Sequence, residues 1–188
     1  MSDDDALRRL NALTQAEAEA AFAQCCAATA WSREMTRRRP YSDRAELLET
    51  ADRAWQELGP DAWRDAFRGH PRLGEKGVAT VSSTADGSSA QEQAGASTQG
   101  QAGAWSGQEQ AGVQHAGEAV RAALIEAQHA YEARFGHIFL ICATGRSATE
   151  MLDALRARML NDADTELRVA ADEQRMITRL RLERLLAQ

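Results

Sequence analysis

The sequence predicts an all-α fold. Helix start and stop signals recur along most of the chain, apolar residues return at spacings of three and four, and only the hexapeptide 138–143 reads like a strand. One hexapeptide cannot make a sheet, so it is expected to be a short buried extended segment crossing a helical bundle. With 188 residues, 44% hydrophobic and 27% charged, the chain has material for one substantial core, which gives a single domain over 1–188.

The elements follow in order. Met1 to Asp5 is acidic and leads into an amphipathic pattern, unlike a secretory signal or transit peptide. Thr14-Gln-Ala-Glu17 is a capping box, in which hydroxyl and carboxylate each satisfy a free amide, and it opens a helix over 18–26. Ser42 is placed to cap a second helix carrying Leu47, Leu48, Ala51, Trp55 and Leu58, which Gly59-Pro60 stops. Pro60 suits the first turn of the next, 61–67. From Gly77 to Gly117 a Gly, Ser, Ala, Gln and Thr mixture offers little apolar periodicity and predicts a long flexible loop, since it cannot bury enough surface to offset ordering entropy. Helical spacing resumes over 118–134 and ends at Gly136. Ser147-Ala-Thr-Glu150 is a second capping box, leading into Met151, Leu152, Leu155 and Met159, and a last helix spans about 164–186.

Composition removes several function classes. A net charge of −6 argues against nucleic acid as a partner, and no apolar run approaches a membrane span. Cys25 and Cys26 are adjacent and Cys142 is distant, which suits neither a disulfide framework nor zinc, so a reducing compartment and the cytoplasm are expected. No metal site is expected either: Glu126 and His129 form one half of a carboxylate-bridged site without a second half, and His115 and His137 lack ligand spacing. Lys76 is the only lysine, so a Schiff-base or pyridoxal enzyme would have to run through it.

Four segments can carry chemistry. His70 follows a helix in His70-Pro71-Arg72-Leu73-Gly74, where Gly69 and Pro71 forbid regular structure and present the imidazole from a stiff turn, poised for proton transfer. The plain alternative is a helix-terminating histidine bonded to a carbonyl. Ser106-Gly107-Gln108-Glu109-Gln110 offers hydroxyl, carboxylate and amide together, although serine followed by glutamate three residues later also starts helices, and Ser89 to Gly95 nearly repeats it, leaving Glu92 as a rival to Glu109. Phe139-Leu140-Ile141-Cys142-Ala143 would present backbone amides and carbonyls to a planar amide-rich ring, or simply pack the core. Arg181 lies on the inward stripe with Ile177 and Leu185, with Arg184 almost as near, so spacing does not choose between them.

In this order, His70-Pro-Arg-Leu-Gly74, Trp105-Ser-Gly-Gln-Glu-Gln-Ala-Gly112, Tyr131-Glu-Ala-Arg-Phe-Gly-His-Ile-Phe-Leu-Ile-Cys-Ala143 and Ile177-Thr-Arg-Leu-Arg-Leu182 resemble the 2-oxo-4-hydroxy-4-carboxy-5-ureidoimidazoline (OHCU) decarboxylases over roughly 67–186. The resemblance implies a cofactor-free and metal-free homodimeric enzyme of urate breakdown that yields (S)-allantoin and carbon dioxide. It implies His70, Glu109 and Arg181 as catalytic residues, and Pro71, Ser106, Gly107, Gln108, Gln110, Phe139, Leu140, Ile141, Cys142 and Ala143 as substrate contacts. The stretch between His70 and Glu109 is longer than the family's. Glu109 is preferred over Glu92 because its distance to Phe135 suits the family and Trp105 precedes its serine. A helical adaptor without catalysis is the rival class, and it would scatter His70, Glu109 and Arg181.

Overall fold

The computed structural model describes residues 3–74, 104–109, 111–114 and 116–188, and among them every regular element is a helix. The helices are α1 (Asp3–Ala12), α2 (Gln15–Cys25), α3 (Thr29–Arg37), α4 (Arg44–Gln56), α5 (Pro60–Arg68), α6 (104–109), α7 (Ala111–Gln114), α8 (Glu118–Phe135), α9 (Ala148–Arg158) and α10 (Ala163–Leu186). None of the described helices is long and apolar enough to cross a membrane.

The local signals act much as read. Both capping boxes close: Glu17 N–H donates to Thr14 Oγ1 at 3.3 Å and Thr14 N–H to Glu17 Oε2 at 2.9 Å, with the same exchange between Ser147 and Glu150 at 3.3 and 2.7 Å. Pro60 opens α5, and Gly136 ends α8 at φ 73°, a left-handed conformation that glycine adopts without a Cβ penalty. Ser42 corrects its expectation. Asp43 caps α4 instead, its Oδ1 accepting from Glu46 N–H at 2.8 Å, while Ser42 donates both its amide and its hydroxyl to Glu46 Oε2 at 2.7 Å. α3 has no capping signal, since Ala28 makes no side-chain cap bond. Packing holds it through the fully buried Trp31 and Met35, with the Trp31 indole donating to Ala51 C=O at 3.1 Å.

The loop expected over 77–117 needs correction at its carboxyl-terminal end. Residues 75–103, with Lys76 and Glu92, lie outside the described residues, but α6 and α7 fall inside that stretch and are helical. Trp105, Ser106, Glu109 and Val113 are buried there, so tertiary contacts supply what local composition lacks.

The core forms two clusters. α10 packs against α1, α2, α4 and α5, and the first cluster holds Phe22, Trp31, Met35, Leu47, Phe67, Trp105, Leu182 and their neighbours. α8 packs on α9 around the second, with Leu73, Val113, Leu124, Tyr131, Met151 and Leu155. Residues 138–143 form neither helix nor strand and run between the two. Their side chains alternate: Ile138, Leu140 and Cys142 meet the first cluster, Phe139, Ile141 and Ala143 the second. A buried ionic network fastens this strip. Arg158 donates to Leu140 C=O at 2.8 Å and to the fully buried Glu166, lies 4.7 Å over the Phe139 ring, and shares Glu166 with the Tyr131 hydroxyl.

Candidate active site

The seam between the two clusters collects the polar residues singled out by sequence. α5 ends at Arg68, and Gly69 passes so close to Ala27 that an added Cβ would lie 2.5 Å from the alanine Cβ. The chain then turns into His70 and Pro71, both partly buried, and is pinned to α8 by two residues one turn apart. Gln128 accepts from Leu73 N–H at 2.8 Å and donates to Leu73 C=O at 3.0 Å, while Glu132 takes Arg72 in a two-pronged pair at 2.6 and 2.9 Å. Gly74 closes the turn at φ 79°. Backbone and side chains therefore fix where the imidazole stands.

His70 Nε2 lies 2.8 Å from Gln174 Oε1 on α10. This sets aside the helix-terminating alternative, because the ring's partner is a side chain 104 residues away and not a carbonyl of α5. Burial, and then the positive charge of Arg181, push the imidazole pKa down to about 3 against the weaker upward pull of the Gln174 hydrogen bond. The ring is neutral at physiological pH.

Seven residues after Gln174, on the same face of α10, Arg181 is buried and reaches α6. Its Nε and Nη2 clasp the Glu109 carboxylate at 3.1 and 2.9 Å, and Nη2 also donates to Ser106 Oγ at 3.0 Å. Arg184 adds a third bond to Glu109 at 2.8 Å, so both arginines that spacing could not separate reach one carboxylate. Two guanidinium groups against one carboxylate leave an excess of one positive charge, which suits an anionic ligand.

Carboxylate, hydroxyl and guanidinium are thus bonded together, while His70 is held by Gln174 on the same face of α10 and feels the charge of Arg181. Ser106 lies within α6 and does not cap it; Gly107 and Gln108 are exposed on the same helix, and Gln110 lies outside the described residues. In the 139–143 strip, Phe139, Leu140, Ile141 and Ala143 are buried, and Cys142 is half-buried. Leu140 C=O is taken by Arg158, and Cys142 N–H by Glu173 of α10 at 2.7 Å, so part of the backbone edge expected to face a ligand is committed to the protein. Glu109 does not touch His70; the partner that sequence reasoning missed is Gln174. Its signal was present, because Gln174, Thr178 and Arg181 repeat at four and three residues on a stripe otherwise apolar, and polar groups on a buried stripe need partners. His129 is exposed, and among the described residues no cluster could hold a metal ion. A separate pocket lined by Arg64, Phe67, Arg68, Glu132, His137 and Ile138 contains none of the residues expected to be catalytic or to touch substrate.

Comparison with known proteins gives this seam a context. The OHCU decarboxylase family model matches residues 11–103 and 97–183. The Uric acid degradation bifunctional protein TTL of Arabidopsis thaliana is 31% identical over 161 residues, which is 86% of this chain and 45% of that protein. The chain therefore spans less than half the length of this curated relative. A crystal structure of OHCU decarboxylase in the presence of (S)-allantoin superposes with a TM-score of 0.69 at 27% identity, covering 90% of this chain and 99% of that one. A crystal structure of (S)-allantoin synthase shares the fold at 13% identity, with a TM-score of 0.61 over 96% of this chain and 53% of the other. With two family matches that together run through nearly every helix and both arms of the seam, the chain belongs to the OHCU decarboxylase family.

Proposed function

We propose that this chain is a carboxy-lyase that converts OHCU to (S)-allantoin and carbon dioxide in urate degradation, without a cofactor, as a cytoplasmic homodimer. The observation that carries the reading is that one face of α10 holds neutral His70 through Gln174 and binds Glu109 and Ser106 through Arg181, in a member of this family. The relatives support it in their own names, one as a protein of uric acid degradation and one as an OHCU decarboxylase crystallised with (S)-allantoin.

The chemistry asks little beyond positioning. The bond from the ring carbon to the carboxylate breaks and its electron pair flows into the adjoining imine, leaving an enol; the 4-hydroxyl then gives up its proton to become the carbonyl as a proton arrives on one face of the neighbouring, ureido-bearing carbon. The substrate supplies its own electron sink, so the chain's task is to hold the ring and govern the proton. His70 orients the substrate hydroxyl and manages the proton that sets the product's hand. Arg181, already turned by Glu109 and Ser106, grips a ureido or ring oxygen that gains charge as the bond opens; holding the departing carboxylate tightly would stabilise the ground state instead. Pro71, Gly107 and Gln108 border the ligand. From the 139–143 strip the Ile141 backbone and the Ala143 N–H are the better contacts, because the Leu140 and Ala143 carbonyls are taken by Arg158 and by Arg146 N–H, and Cys142 N–H already serves Glu173.

The test is a coupled assay with freshly generated OHCU that follows the chirality of allantoin. Spontaneous decay gives both hands, so the enzyme is expected to give one. A racemic product at the uncatalysed rate would sink the proposal. Normal turnover by His70→Ala beside an inactive Glu109→Gln would remove His70 from its role, and light scattering of the purified chain checks the dimer.

A further inference from the structure

We infer that Gln174 is a positioning residue for the reaction: its side-chain carbonyl holds His70 as the Nε2-protonated tautomer, leaving Nδ1 as the ring's single free lone pair for substrate. For its catalytic consequence this rests on the decarboxylase reading; the tautomer itself does not.

The argument is directional. A neutral imidazole has one N–H and one lone pair, and the nitrogen facing a carbonyl oxygen at 2.8 Å must be the one that donates. The Gln174 amide is prevented from turning over by its other end, which donates to Thr178 Oγ1 at 3.1 Å one turn further along α10. The chain therefore runs one way, from His70 to Gln174 to Thr178, with each donor used once. Reversing the amide would set its NH₂ against Nε2 and require the Thr178 proton for the glutamine oxygen. Gln174 is fully buried and Thr178 nearly so, which leaves water little opportunity to offer either orientation an alternative partner.

The choice of an amide also matters. A carboxylate at this position would fix the same tautomer but stabilise the imidazolium, as acidic partners of histidine do. The charge that acts on the ring is that of Arg181 of α10, which opposes protonation, while Glu109 of α6 is spoken for by Arg181 and Arg184. Gln174 thus orients the ring without making it a cation beside a buried arginine.

The experiment is nitrogen-15 NMR of histidine-labelled full-length protein, with His70→Gln identifying the signal, combined with steady-state kinetics. In the unaltered chain His70 is expected to show the Nε2-protonated pattern, unchanged from pH 8 to pH 5. Gln174→Met is expected to lose that single pattern and drop kcat on the order of 100-fold with KM within about threefold. Gln174→Glu is expected to retain the tautomer, raise the pH at which His70 titrates, and add an acidic limb to the kcat profile. If Gln174→Met does not fold, Thr178→Val, which keeps the shape and frees the amide, is expected to give a mixture of tautomers. An Nδ1-protonated or cationic His70 in the unaltered chain at pH 7 overturns the inference, as does full kcat with one tautomer in Gln174→Met or Thr178→Val. An unaltered chain that shows the tautomer but does not release carbon dioxide supports the positioning and defeats the decarboxylase reading alone.

Discussion

Glu109 shows how much one side chain can decide. It is buried, bonded by two nitrogens of Arg181 and one of Arg184, and carried on a helix of six residues. Glu109→Gln removes the charge and leaves Arg181 only partly compensated in a dry site, so a loss of roughly 3 kcal/mol is expected in urea unfolding, since breaking a buried pair exposes the cost of the charge left behind. Arg184→Ala should cost under about 1 kcal/mol, because its side chain stands partly in water and such pairs contribute little. His70 has a different signature. Unfolded, its imidazole titrates near 6.5, and folded near 3, so as pH falls the unfolded chain takes up the proton first. Its share of stability is intact above the unfolded value and erodes as pH falls from about 6.5 towards 3. Half-buried His137, whose pKa is lowered mainly by burial, works in the same direction. The thermal midpoint should decline through that window, and His70→Gln should flatten the decline. Histidine, glutamate and arginine were legible as residue types in a familiar order; their pairing was not, because Glu109 and Gln174 trade partners through geometry that spacing does not encode.

Among the elements, those with covalent or local signals were the readable ones. Thr14, Pro60, Gly136 and Ser147 each act within a few residues of themselves, and the helices they bound appear where expected. α6 and α7 were hidden because their composition is that of a loop and their stability comes from Trp105 and Val113 reaching two different clusters. This makes them sensitive to fit. Gly112 sits so near Arg146 that an added Cβ would fall 2.1 Å from its carbonyl oxygen, a distance the backbone must move to relieve. Gly112→Ala is therefore expected to reduce turnover at least tenfold by displacing Glu109 and Ser106, and circular dichroism should show α8 to α10 still folded. Gly107→Ala, whose Cβ would meet nothing within 4 Å, should leave the thermal midpoint unchanged or slightly higher. Ser147→Ala tests the other kind of element: loss of its cap should cost about 1 kcal/mol with kcat little altered.

Across the whole molecule, breaking one of the few buried ion pairs should cost far more than breaking one of the many arginine pairs of the surface. Glu166 is fully buried, and Tyr131, Arg158 and Asn161 all bond to it, joining α8, the α9 end and α10. Glu166→Gln should destabilise by roughly 3–5 kcal/mol. Dissolving the pair between Asp5 and Arg8, which is largely exposed, should be lost in measurement error and vanish with salt. The all-helical class could be read from periodicity, but the division into two clusters could not, since nothing in a helical repeat says which neighbours share a core.

The alternation along 138–143 has one more implication. Each successive side chain belongs to the opposite half of the interior, so adding or deleting a single residue there would exchange the tenants of both halves at once, sending Phe139 and Ile141 towards Trp105 and Leu140 towards Tyr131. Insertions of one residue in this strip should therefore abolish folding, while the same change at Thr144 or Gly145, past its end and exposed, should be absorbed.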